Sequence, residues 1–60
     1  MNMEKINEKI ELLQEMADAT YTVSFDGEKY QLDSEQRMLV VTDNIEFVGA
    51  ILDEIISLVY

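Results

Sequence analysis

The chain predicts an α+β fold, a single domain over 1–60 in the order α-β-β-β-α, with a three-stranded antiparallel meander packed against two helices. Three observations carry this. Two segments near the ends place apolar residues at the three-and-four spacing of a helix, a central stretch alternates apolar and polar residues around Asp26-Gly27, and a short β-branched run follows.

In the first segment, 2–18, Met3, Ile6, Ile10, Leu13 and Ala17 form the stripe, and Leu12 and Met16 widen it. Thr20 to Phe25 then alternates strictly and is rich in aromatic and β-branched residues, so 20–33 is expected to be a hairpin. Asp26-Gly27 suits a type I′ turn, and as a two-residue loop it sets Val23 opposite Tyr30 and Tyr21 opposite Leu32, with the apolar members of both strands on one face. Asp33 to Gln36 supplies turn residues before a third strand at 37–42. Its run Met38-Leu39-Val40-Val41 does not alternate, which implies cover on both faces. Asp43, with Glu46 three residues later, is placed to cap the final helix at 44–59.

At 60 residues the chain lies near the lower limit for folding without disulfides, metals or oligomerisation, because so small a body buries only about 60% of its unfolded surface. There is no cysteine, so no disulfide framework is available, and a reducing, cytoplasmic setting is compatible. No basic stretch leads into an apolar one at the start, and no apolar run approaches the ~20 residues of a membrane span. Thirteen acids against Lys5, Lys9, Lys29 and Arg37 give a formal charge of −9, which repels nucleic acid and anionic lipid and favours encounter with basic surfaces. Direct nucleic-acid binding and membrane association are therefore not expected. A hydrophobic content of 48% with clear periodicity argues against disorder.

Catalytic chemistry is sparse. With no histidine, Ser24, Ser34 and Ser57 lack the commonest general base, and no lysine sits in an apolar segment that would depress its pKa. The carboxylate pairs Asp33 with Glu35 and Asp53 with Glu54 are the remaining candidates on residue type, but a body this small has little room for a substrate cleft. The segment 26–33 lacks the ligand pattern of a calcium loop, and neither glycine belongs to a phosphate cradle. No enzyme activity, metal or cofactor is expected.

Two surfaces are the candidates for function. Glu4, Glu8, Glu11, Glu15 and Asp18 recur at four-three-four-three spacing, which gathers them within an arc of about 80° at 100° per residue, over roughly 21 Å of axis. Lys5 and Lys9 lie off this ridge and relieve it only in part. Such a ridge is either a solvated face or a surface that meets a basic partner. The second helix is apolar over about 180°, against about 100° for an ordinary surface helix. Phe47, Ile51, Ile55 and Leu58 form one flank, and Ile45, Val48, Leu52, Ile56 and Val59 the other. One flank can cover the sheet and the first helix; the other is left for a homodimer, a heteromeric partner or a deeper core, and of these the homodimer is expected, with Val48, Leu52, Ile56, Val59 and Tyr60 as the contact.

At class level the tiny length, the carboxylate ridge and the lack of catalytic residues resemble the small acidic inhibitors that bacteriophages encode against host enzymes, including anti-restriction, anti-CRISPR and other anti-defence proteins. The resemblance implies a homodimer that binds a host nucleic-acid-processing or immune enzyme, in the host cytoplasm, and blocks it sterically or electrostatically. The alternative is a structural, assembly or antitoxin-like subunit that docks through its C-terminal helix.

Overall fold

Asn2 starts the first helix. Its backbone is extended (φ −126°, ψ 173°), and its side-chain oxygen accepts the Lys5 N–H at 3.0 Å, supplying one of the acceptors that a helix start lacks. In a computed structural model describing residues 2–60, five elements follow: α1 (Met3–Ala17), β1 (Thr22–Phe25), β2 (Tyr30–Asp33), β3 (Met38–Thr42) and α2 (Ile45–Val59). The strands form one antiparallel sheet in the order β1-β2-β3, so the architecture is the expected α-β-β-β-α.

The hairpin keeps its apolar face but shifts its register. Val23 pairs with Leu32 and Phe25 with Tyr30, where a loop at Asp26-Gly27 would have paired Val23 with Tyr30. The loop is instead Gly27-Glu28, flanked by Asp26, whose N–H donates to the Lys29 carbonyl at 3.2 Å. The cause is the Asp26 carboxylate, which accepts the N–H groups of Glu28 (2.9 Å) and Lys29 (2.8 Å) and so becomes part of the turn scaffold. Gly27 has φ +100°, and no other residue of the loop has a positive φ, which rules out the type I′ conformation. Because each partner changes by two residues, every side chain stays on its expected face. Phe25 and Tyr30 stack across the pair with ring centroids 4.5 Å apart.

β3 corrects a second expectation. Its register against β2 slips between Leu32 and Asp33: Leu32 faces Val40 while Asp33 faces Met38, so Leu39 is the extra residue of a bulge. The bulge lets adjacent Leu39 and Val40 both pack against the core, while Met38 and Val41 remain exposed. The unbroken apolar run thus reflects an inserted residue and not a strand covered on both sides.

After β3 the Thr42 hydroxyl accepts the Asn44 N–H, and Asn44, not Asp43, caps α2: its Oδ1 accepts the Glu46 N–H at 3.0 Å. α2 lies over β2 and β3, and α1 packs along α2. Ile6 and Leu13 from α1, Leu32 from β2, and Val48 and Leu52 from α2 are fully buried together; no polar side chain among the described residues is buried with them.

That core overturns part of the expected dimer contact. Val48 and Leu52 face the chain's own interior, and Ile56 packs against it, leaving Val59 and Tyr60 exposed. Of the other flank, Ile51 and Ile55 also pack against the core, and Phe47 and Leu58 are the members left exposed. Gly49 is buried on the side of α2 next to Leu52, where a missing side chain suits close approach of a neighbouring helix, and Asp53, about 40° further round, pairs with Lys9 of α1.

Total accessible surface is 4127 Å², close to the about 4,000 Å² expected of a compact protein of this mass. Exposed apolar groups therefore reflect a shortage of interior and not a loosened fold. Leu32→Ala and Leu52→Ala are each expected to cost about 3 kcal/mol, enough to unfold much of so small a domain. Thr22→Ala, on the exposed edge strand β1, is expected to stay within about 0.5 kcal/mol. Urea unfolding followed by far-UV circular dichroism checks all three.

Candidate interaction site

The ridge follows from how α1 is anchored. Ile6 and Leu13 fix one side of the helix to the core, which turns the opposite side to water, and Glu4, Glu8, Glu11, Glu15 and Asp18 are all exposed there. Four stand on regular helix. The fifth, Asp18, sits just past it in the left-handed conformation (φ 51°, ψ 36°), a position glycine usually takes. Its N–H and that of Ala19 both donate to the Leu13 carbonyl, and its carboxylate accepts from Gln14 Nε2 at 3.3 Å. Thr20 donates to Gln14 Oε1 at 2.7 Å, which ties the turn into β1.

Cations relieve the ridge little. Lys5 reaches Glu8 at 3.8 Å with both side chains largely in solvent, a pair worth a few tenths of a kcal/mol at most. Lys9, partly sheltered, turns away to Asp53 of α2 and serves as a clasp between the helices. α1 also has an acid in its first turn and no base in its last. Glu4 thus favours the helix dipole, whereas Asp18 opposes it.

Two shallow hollows border the ridge. One, of about 390 Å³, is lined by Lys5, Glu8, Lys9 and Leu12 of α1 with Asp53 and Ile56 of α2. The other, of about 210 Å³, lies between Asp18 to Tyr21 and Ser34 to Gln36. In the second, the Thr20 and Ser34 hydroxyls lie near Asp18 and Glu35 but donate elsewhere, Thr20 to Gln14 Oε1. The Ser34 hydroxyl is used within its turn, donating to the Arg37 carbonyl at 3.0 Å and accepting the N–H groups of Gln36 and Arg37. Of the two carboxylate pairs, Asp33 accepts from Gln31 Nε2 at 2.9 Å, and Asp53 engages Lys9 while Glu54 projects about 100° away round α2. Among the described residues no three carboxylates converge on a point where a metal ion would fit, and no helix is long and apolar enough to cross a membrane.

A second surface was not singled out from the sequence in its actual composition. Phe47 (49% exposed) and Leu58 (80%) stand on the outward flank of α2, Met38 and Val41 on the outer face of β3, and Tyr60 (91%) just past α2.

Two measurements follow from the turn chemistry. Asp18→Gly removes a left-handed aspartate and is expected to stabilise the fold by about 1 kcal/mol, read as a raised thermal midpoint. The Asp26 carboxyl is held below its ordinary 3.8 by the hydrogen bonds from the Lys29 and then the Glu28 backbone N–H groups. A lowered folded-state pKa stabilises above the unfolded value and loses that effect as pH falls through the folded one. Asp26→Ala should therefore lie below the parent in stability at neutral pH, with the gap closing under acid, as measured by urea unfolding across pH.

Compared with known proteins, the chain matches no family model, no curated protein and no solved structure.

Proposed function

We propose that the chain is an acidic protein-binding module that acts by occupying a basic surface on another protein. Its nearest functional class is the stoichiometric inhibitor that phages and mobile elements direct at host nucleic-acid-processing or defence enzymes, working as a homodimer in the host cytoplasm. The supporting observation is the ridge: five exposed carboxylates line one side of α1, opposite Ile6 and Leu13, and among the described residues Lys5 is the cation bridged to it. A rigid row of negative charge spaced every ~5 Å compares in scale with phosphates along a nucleic-acid strand, so a cleft shaped for a polyanion offers it complementary charge. Such a partner is drawn in by the long-range field of a −9 chain, and the encounter weakens as salt screens it.

The second reading, an assembly or antitoxin-like subunit that docks through α2, is favoured by the exposed Phe47, Leu58 and Tyr60. Different residues carry the two. A basic protein captured from a bacterial lysate is expected to lose about 100-fold in affinity for the Glu8→Gln, Glu11→Gln, Glu15→Gln triple variant, near 0.9 kcal/mol per carboxylate, while circular dichroism shows the fold intact. Unchanged affinity removes the ridge from the mechanism. Loss on Phe47→Ala with Leu58→Ala instead assigns recognition to α2.

A further inference from the structure

We infer that Asp26-Gly27 is a latent isomerisation site: in the unfolded chain this link converts to a β-linked isoaspartate, and the native turn keeps it from doing so by holding the Asp26 side chain. The inference stands apart from the ridge and from the homodimer. Asp18, Asp33, Asp43 and Asp53 precede Ala19, Ser34, Asn44 and Glu54, each with a side chain beside the backbone nitrogen that would attack; Asp26 precedes glycine, where no side chain hinders the approach. The step needs no reagent but water. The Gly27 nitrogen attacks Asp26 Cγ, a C–N bond forms, a C–O bond of the protonated carboxyl breaks, and its hydroxyl leaves with the amide proton as water. One water then opens the five-membered imide. Addition at Cγ restores aspartate, whereas addition at the former backbone carbonyl carbon breaks its bond to the Gly27 nitrogen and leaves the chain running through Cβ and Cγ. Composition and oxidation state are unchanged, and the backbone is one methylene longer.

Burial does not shelter the site. Asp26, Gly27, Glu28 and Lys29 are all exposed, and a Cβ at Gly27 would meet nothing within 4 Å. What shelters it is the turn's own bonding. Asp26 Oδ1 accepts the N–H groups of Glu28 and Lys29 at 2.9 and 2.8 Å, and the Asp26 N–H donates to the Lys29 carbonyl at 3.2 Å. Ring closure needs the side-chain and backbone torsions of Asp26 free to bring nitrogen and Cγ into line, and these bonds restrain both. They also favour the ionised carboxyl, the Lys29 N–H most and then that of Glu28, and an ionised carboxyl has no water to release. The reaction destroys its own restraint: Cγ, whose oxygen accepted both N–H groups, becomes the new peptide carbonyl carbon, within the loop that sets the pairing of β1 with β2. A chain that isomerises while unfolded therefore loses the turn, and unfolding leaves a permanent mark on it.

The test ages the chain across a urea series spanning its unfolding transition, at one pH and temperature, and quantifies isoaspartate at each aspartate by enzymatic methyl transfer and peptide mass spectrometry. The rate at Asp26 is expected to follow the unfolded fraction read by circular dichroism, with the folded baseline at least ~10-fold below the unfolded plateau, since the reaction draws on the open form. Leu52→Ala, which opens the core, is expected to raise the rate in urea-free buffer. The isolated isomer is expected to unfold at lower urea than the parent. A folded baseline equal to the plateau overturns the shelter, and an isomer as stable as the parent overturns the part the Asp26 carboxylate plays in it. An unfolded chain that isomerises no faster at Asp26 than at Asp18, Asp33, Asp43 or Asp53 overturns the site itself.

Discussion

Enclosure of Leu32 is the constraint on which the rest of the structure depends. It is the one fully buried side chain of the sheet, and Ile6 and Leu13 from one helix and Val48 and Leu52 from the other close over it. Five side chains of this size offer a small interior, at about 1.5 to 3 kcal/mol each, against the ordering of an entire chain. That scarcity explains the care taken at the periphery. Asn2 and Asn44 cap the helices, Asp26 and Ser34 hold the two turns, and Lys9 clasps one helix to the other. Each is a small term, and a domain this size has few large ones.

Much of the architecture was legible because it depends on spacing. The helical stripes from Met3 to Ala17 and from Ile45 to Val59 and the alternation from Thr20 to Phe25 are one-dimensional signals of burial, and they gave the element order and most boundaries. What failed depended on competition between neighbouring groups. Asp43 and Asn44 are both good caps, and only the path out of Thr42 decides between them. Asp26-Gly27 suits a tight turn as a dipeptide, but the aspartate carboxylate captured two backbone N–H groups and moved the loop by one residue. The bulge at Leu39 left no mark beyond an unbroken apolar run, which fits a doubly covered strand equally well.

The surfaces divide along the same line. The carboxylate ridge could be placed from sequence because its complement, the Ile6 and Leu13 side, is narrow and unambiguous. α2 is apolar over so wide an arc that periodicity alone could not tell its inner flank from its outer one. The structure uses both: Ile51 and Ile55 pack against the core beside Val48, Leu52 and Ile56, and Phe47, Leu58 and Val59 are left in solvent. Met38 and Val41 became outward-facing through the partner strand and the bulge, neither of which local composition encodes.

The diametric arrangement of α1 has an evolutionary consequence. Ile6 and Leu13 hold the helix in place, while the acidic side touches no part of the interior. Substitutions on one side thus leave folding intact, and the outward-facing alphabet is free to drift without the architecture being renegotiated.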